Sequence, residues 1–249
     1  MKPKTYHIFP LGCQQNKSDS ERVASVFAAM DYQPVEREAD ASIIVVNACA
    51  IRQTAMDRVY GKMRTWGPRQ KQGDLRTILT GCVLEHDRQK LAGVFNHVVN
   101  ITDIGKIPEL LGEGTALDLA DYFSVPPSHN SEFKAYVPIM TGCDKFCTYC
   151  AVPYTRGREI SRPANDILNE VQHLIARGYK EITLLGQNVN SYAGLFDKPT
   201  EKRGLMVLNR KKAAANEAQL QFVNFPQLLE MVANIPGDFW VRFITSHPY

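Results

Sequence analysis

Apolar positions along the chain switch between two spacings. Residues 6–9 and 77–80 are short runs of β-branched and aromatic residues, and 43–47 is a longer one, Ile43-Ile44-Val45-Val46-Asn47. Such runs predict buried strands. Between them Val23, Val26, Phe27 and Met30 recur at helical spacing, as do Ile51, Ala55, Val59 and Met63. Ser18-Asp19-Ser20 reads as a group of helix caps. Gly67-Pro68 and Gly73 read as breaks in the chain. Residues 98–101 read as a fourth strand, and 104–111 as a short helix closed by Gly112. Residues 113–133 contain Pro126-Pro127 and no clear period, and read as a linker.

A second alternating segment follows. Residues 136–140 read as a strand that runs into a cysteine cluster. Ser161-Arg162-Pro163 opens a helix with Ile167, Val171, Leu174 and Ile175 on one face and Gly178 as its stop. Residues 181–185 read as a strand ending at Gly186-Gln187-Asn188. A long insert fills roughly 192–221. Pro226 sits near the start of another helix, with Leu229, Val232 and Ile235 inward, and 240–245 is the last strand. Strands alternating with helices predict parallel sheets joined by right-handed crossovers. The expected fold class is α/β: a parallel-sheet domain over 1–112, a linker over 113–133, and a β-α-β-α-β segment over 134–249. Three strands do not close a (β/α) barrel, and an exposed final strand is a sticky edge. Part of a longer protein is expected.

Composition narrows the function classes. The 249 residues are 44% hydrophobic and 22% charged, as in globular proteins. No stretch approaches the ~18 apolar residues of a membrane span. The basic start Met1-Lys2-Pro3-Lys4 is followed by no apolar core of a signal peptide, so a cytoplasmic protein is expected. The net charge of +3 is modest, but six basic residues against one acidic residue give 198–212 a charge of +5, leaving 3 − 5 = −2 for the rest. Residues 52–76 carry seven basic residues against Asp57 and Asp74. A polyanion partner and a solvated surface both fit these stretches.

The six cysteines divide into two triads. Cys13, Cys49 and Cys82 are widely spaced, each close behind a predicted strand, while Cys143, Cys147 and Cys150 form a tight Cys-x3-Cys-x2-Cys. Loops at the carboxyl ends of parallel strands gather on one edge, where ligands bind. The early triad therefore either converges there or consists of inert buried thiols. Thiolates favour iron–sulfur clusters, zinc and copper(I). Structural zinc takes four ligands, and a four-iron cluster held by three cysteines keeps one iron open. An iron–sulfur site fits the tight triad better, with zinc as the alternative. The six histidines show no ligand spacing.

Met140-Thr141-Gly142-Cys143-Asp144-Lys145-Phe146-Cys147-Thr148-Tyr149-Cys150 resembles the radical S-adenosylmethionine signature. Leu11-Gly12-Cys13-Gln14-Gln15-Asn16-Lys17-Ser18-Asp19-Ser20 resembles the amino-terminal motif of the methylthiotransferases. Pro153-Tyr154-Thr155-Arg156-Gly157-Arg158-Glu159 and Leu185-Gly186-Gln187-Asn188-Val189-Asn190 are similar to one branch, the tRNA-2-methylthio-N6-dimethylallyladenosine synthases or MiaB family. The resemblance covers nearly all of the chain except the insert near 192–221.

That resemblance implies two [4Fe-4S] clusters and S-adenosyl-L-methionine as cofactors. Cys143, Cys147 and Cys150 would hold the cluster that cleaves S-adenosylmethionine to a 5′-deoxyadenosyl radical. Cys13, Cys49 and Cys82 would hold a second cluster that carries the sulfur. Tyr149 would pack near the adenine, or else be a core aromatic. Gly186, Gln187 and Asn188 stand where related enzymes hold the amino group of S-adenosylmethionine. Arg156 and Arg158 are candidates for phosphate or carboxylate contact, or for surface salt bridges. The implied reaction adds a methylthio group to C2 of N6-dimethylallyladenosine beside the tRNA anticodon, in a loop whose bases splay out readily. The implied partners are tRNA and a reductant such as flavodoxin or ferredoxin, with no membrane and a monomeric protein. The same resemblance implies an incomplete radical SAM (β/α) barrel, truncated at the carboxyl end before the rest of the barrel and a small RNA-binding domain. The alternatives are a non-catalytic iron–sulfur remnant, or a methylthiotransferase acting on another modified adenosine or a ribosomal protein.

Overall fold

The computed structural model describes residues 4–49, 53–114, 122–197 and 221–247, with the backbone alone at 53–56. Two units divide the chain: Met1–Asn130 with Cys147–Arg156, and Ser131–Phe146 with Gly157–Tyr249. In chain order the first unit contains β1 (Thr5–Pro10), α1 (Gln14–Ala29), β2 (Gln33–Pro34), β3 (Ile43–Cys49), α2 (Gln53–Lys71), β4 (Arg76–Cys82), α3 (Glu85–Ala92), β5 (His97–Val98) and α4 (Ile107–Leu110). The second opens with β6 (Lys134–Pro138) and β7 (Met140–Thr141). The short helix α5 (Val152–Arg156) falls in the first unit. The second continues with β8 (Ile160–Ser161), α6 (Ala164–Ala176), β9 (Glu181–Leu185), β10 (Ala193–Leu195), β11 (Phe222–Asn224), α7 (Phe225–Ala233) and β12 (Trp240–Ile244).

The first unit is built on a parallel sheet of order β2-β1-β3-β4-β5. All seven residues of β3 are buried, which needs cover on both faces of the sheet. Ile43 and Val45 pack with Val23, Val26 and Phe27 of α1. Ile44 and Val46 pack with Val59 and Trp66 of α2 and Leu91 of α3. Each such Ile or Val contributes roughly 1.5–3 kcal/mol on burial, so β3 anchors the sheet.

Several sequence expectations are corrected here. Helix α1 starts at Gln14 with Cys13 as its N-cap residue, so Ser18, Asp19 and Ser20 lie inside the helix rather than capping it. Gly67 and Pro68 lie inside α2, which runs on to Lys71. Pro68 lacks an N–H and is expected to break a helix, but its neighbours hold the last turns. Trp66 is buried and donates Nε1–H to Glu38 Oε2 at 3.0 Å, while Arg69 donates to the carbonyls of Glu38 and Ala41 at 3.0 and 2.7 Å. Burial pushes the Glu38 carboxyl up, yet bonds from Lys62 and Trp66 hold it below its usual range. The fourth strand is only His97–Val98, because residues 101–106 turn into a 3-10 helix. Of residues 113–133, 122–130 pack within the first unit: Tyr122 and Val125 are buried in its core, and the Ser128 N–H donates to Glu21 O at 3.0 Å. Residues 115–121 lie outside the described residues, as do Ile51 and the Ala55 side chain of the second helical pattern.

The second unit carries the parallel sheet β6-β9-β12, an open sheet with no closed barrel among the described residues. Helix α6 buries Ile167, Val171 and Leu174 of the predicted stripe, with Ile175 half-buried beside them. Helix α7 starts in a reciprocal capping box: Gln227 N–H donates to Asn224 Oδ1, and Asn224 N–H to Gln227 Oε1. The insert is shorter than expected. Residues 193–195 and 222–224 form an antiparallel pair, and the basic stretch 198–220 lies outside the described residues. Among the described residues no helix is long and apolar enough to cross a membrane.

Candidate iron–sulfur site

The first triad sits at the carboxyl edge of the five-stranded sheet. Cys49 and Cys82 are not behind their strands but are the last residues of β3 and β4, opposite one another in register. Adjacent strands lie about 4.8 Å apart, so the two thiol-bearing residues are neighbours. Gly81 allows this approach. Its φ is +101°, and a Cβ there would stand 2.4 Å from Ala48 O.

Cys13 reaches the same edge through buried amides. Its N–H donates to Asn16 Oδ1 at 3.4 Å, and its thiol lies 3.4 Å from the same oxygen. Asn16 Nδ2 donates to Asn47 Oδ1 at 2.9 Å and to Ala48 O at 3.1 Å. Asn47 Nδ2 returns bonds to Asn16 O at 2.7 Å and Ser20 Oγ at 3.0 Å. The start of α1 is thus fastened to the end of β3. Asn47→Ala is expected to cost about 1–3 kcal/mol, because Asn16 O and the Asn16 amide each lose a buried partner. A urea midpoint unchanged from wild type would show that this lock carries no weight.

Beside Cys82 lies a buried charged network. Arg156, the last residue of α5, donates Nε–H to Cys82 Sγ at 3.0 Å and pairs through Nη2 with Asp19 Oδ2. The Asp19 and Arg156 side chains are 0% and 2% exposed. Tyr122 Oη donates to Asp19 Oδ1 at 2.6 Å, and Gln15 Nε2 donates to Tyr122 Oη at 3.2 Å. Arg22 lies over the Tyr122 ring, 4.9 Å from its centroid. Burial pushes the Cys82 thiol above its usual value, against the pull of the Arg156 guanidinium. Burial acts to lower the Arg156 pKa, but Asp19 and Cys82 hold it well above the ordinary arginine value.

The second triad lies on the excursion between β7 and β8, which pair antiparallel. Cys143 is buried and its N–H donates to Gly157 O at 3.2 Å. Cys147 and Cys150 are half-buried and linked by a Cys150 N–H to Cys147 O bond of 2.9 Å. No disulfide joins any of the six cysteines. Tyr149 is 93% exposed, so it is no core aromatic. Arg158 pairs with Asp144 on the exposed surface at 2.7 and 3.0 Å.

Gly186, Gln187 and Asn188 follow β9. Gly186 exchanges backbone bonds with Ile244 and Thr245. Asn188 is buried, and its Oδ1 accepts from His247 N–H at 3.1 Å. Gln187 Oε1 is buried with no hydrogen-bond partner among the described residues.

The donor sets suit iron–sulfur clusters: three thiols at one sheet edge beside an arginine, and three on one loop. Among the described residues no three His, Cys, Asp or Glu side chains close on a single metal ion. A cluster binds each cysteine to a different iron, so its ligands need no common point. Sequence reasoning missed Asp19, Tyr122 and Asn47. Their polar types were visible, but most of their partners lie 27 to 137 residues away.

Two family profiles match the chain: uncharacterized protein family UPF0004 over residues 5–102 and the Radical SAM superfamily over residues 137–248. The tRNA-2-methylthio-N(6)-dimethylallyladenosine synthase of Clostridioides difficile (strain 630) is 38% identical over 95% of this chain and 48% of its own length. The synthase of the same name from Anoxybacillus flavithermus is 37% identical over 98% of this chain and 45% of its own length. That from Bacteroides thetaiotaomicron is 38% identical over 98% and 52%. The chain spans about half the length of these curated relatives. Both profiles stand in this order on one chain, and nearly the whole chain is similar to about half of these tRNA-2-methylthio-N(6)-dimethylallyladenosine synthases.

Proposed function

We propose that this chain carries the two iron–sulfur regions of a tRNA methylthiotransferase, which adds a methylthio group to C2 of N6-dimethylallyladenosine beside the anticodon. The observation that carries the reading is the first triad: Cys49 opposite Cys82 in register, with Cys13 fastened to them through Asn16 and Asn47. Residues 1–112 would form the sulfur-donating region, and 134–249 the first half of a radical SAM domain. Cys13, Cys49 and Cys82 would hold one [4Fe-4S] cluster, and Cys143, Cys147 and Cys150 the other. When bound, the clusters and S-adenosylmethionine supply sulfur and the one-electron chemistry that an unreactive aromatic C–H requires.

The chain's own residues bind and orient. The unsatisfied Gln187 Oε1 is an acceptor suited to an amino group, and buried acceptors of this kind seek a donor. Asn188 spends its Oδ1 on His247, which leaves its amide N–H groups for a carboxylate. The exposed Tyr149 offers a ring for stacking on adenine. The partners would be tRNA and a flavodoxin- or ferredoxin-type reductant, in a monomeric cytoplasmic protein.

Iron and acid-labile sulfide per chain after anaerobic reconstitution test this reading. About eight irons are expected in wild type and about four in Cys13→Ala/Cys49→Ala/Cys82→Ala. About four in both proteins would remove the sulfur-carrying cluster and with it the methylthiotransferase reading. Zinc in place of iron would end the radical mechanism.

A further inference from the structure

We infer that Arg156 is a positioning residue for the iron–sulfur cluster of the first triad, donating Nε–H to the Cys82 sulfur and presenting a second buried donor to anionic sulfur beside it. This rests on the cluster assignment proposed above, but the geometry stands alone. Arg156 lies six residues beyond Cys150 in the chain, yet its guanidinium belongs to the other triad: Nε lies 3.0 Å from Cys82 Sγ. Nη2 is held by Asp19, which Tyr122 holds in turn. Nη1 is buried and has no hydrogen-bond partner among the described residues. An orphaned donor on a buried guanidinium is costly, and such a group in a native protein calls for a missing acceptor. With Nη2 occupied by Asp19, the chemistry next to Cys82 offers sulfur: thiolate, cluster sulfide, or the sulfur to be delivered.

The consequence is electrostatic. Cluster potentials respond to nearby charge and to hydrogen bonds on the sulfurs. A buried cation with an N–H aimed at a ligand sulfur stabilises the reduced, more negative form. Lysine keeps the charge but not the planar fork that serves Cys82 and Asp19 together.

The test uses the full chain in a Cys143→Ala/Cys147→Ala/Cys150→Ala background, so that one cluster remains to be titrated. Removing Arg156 alone would strand Asp19, so Asp19→Asn is the reference and Asp19→Asn/Arg156→Gln the variant, a neutral pair of similar shape. Iron content, the electron paramagnetic resonance spectrum of the reduced protein and the midpoint potential are read. The expected result is retained iron, altered g-values and a more negative midpoint in the double variant than in Asp19→Asn. Asp19→Asn/Arg156→Lys should fall between them. Loss of iron from a folded double variant, restored by lysine, would also support the positioning role. Identical spectra and midpoints with iron retained would overturn it. If the Cys143/Cys147/Cys150 background binds no iron even with Arg156 and Asp19 intact, the cluster assignment itself fails, and not merely the role of Arg156.

Discussion

Asp19→Ala is expected to lower the stability of the first unit by about 3–5 kcal/mol, the usual cost of stripping one partner from a buried ion pair. Neither side chain of the Asp19–Arg156 pair has appreciable contact with water. Truncation therefore leaves a guanidinium without its counter-charge and Tyr122 Oη without its carboxylate acceptor. The exposed Arg37–Asp40 pair is the natural control, because both of its partners meet solvent and exchange the bond for water. Asp40→Ala should barely move the transition. With a urea dependence of roughly 1–3 kcal/mol per molar, Asp19→Ala should shift the midpoint by about 2 M, followed through the buried Trp66 in reduced, metal-free protein. Asp19→Leu/Arg156→Met should recover much of the loss, since a buried pair and an apolar pair of similar volume often differ little. A midpoint for Asp19→Ala as close to wild type as that of Asp40→Ala would show that the network is solvated and structurally idle.

What the sequence made legible, and what it hid, follows from the range of each interaction. The strands β1, β3, β4, β9 and β12 and the helices α6 and α7 announce themselves through apolar residues that act locally. The spacing of Cys143, Cys147 and Cys150 is equally local. Cys49 and Cys82 end their strands instead of following them, one step short of the loops that the apolar runs imply. Helix α1 hides its polar interior from any local reading. Gln15, Asn16, Ser18, Asp19, Ser20, Glu21 and Arg22 look like a solvent face and are all buried. Much of what satisfies them lies far off in sequence: Asn47, Tyr122, Val125 and Arg156 come from distant segments. The same holds for Pro68, whose helix-breaking tendency is local while the bonds of Trp66 and Arg69 that overrule it reach back to the segment before β3. Arg156 shows the limit most clearly. Its motif is contiguous with the second triad, and its side chain serves the first.

Gly142→Ala is expected to open the loop that bears the second triad, and Gly157→Ala is not. The two glycines share nearly the same left-handed backbone, with φ of +78° and +76°. The conformational penalty for an L-residue, about 1–2 kcal/mol, is therefore common to both. They differ in space. A Cβ on Gly142 would stand 2.0 Å from Arg158 O and 2.7 Å from Gly157 O, whereas nothing lies within 4 Å of one on Gly157. The obstruction at Gly142 is backbone, so it cannot be relieved by a rotamer change. It sits where the β7–β8 ladder ends and the Cys143 N–H meets Gly157 O. Separating these strands costs roughly a further 1–3 kcal/mol and releases Cys143 from its place one residue on. Gly142→Ala should lose most of the iron assigned to Cys143, Cys147 and Cys150 while keeping about four irons on the first triad. Gly157→Ala should keep both sets with a small fall in urea midpoint. Equal iron loss in the two variants would mean that backbone conformation alone governs the loop. Equal retention would mean that the close approach at Gly142 is not needed to hold the cysteines in register for a cluster.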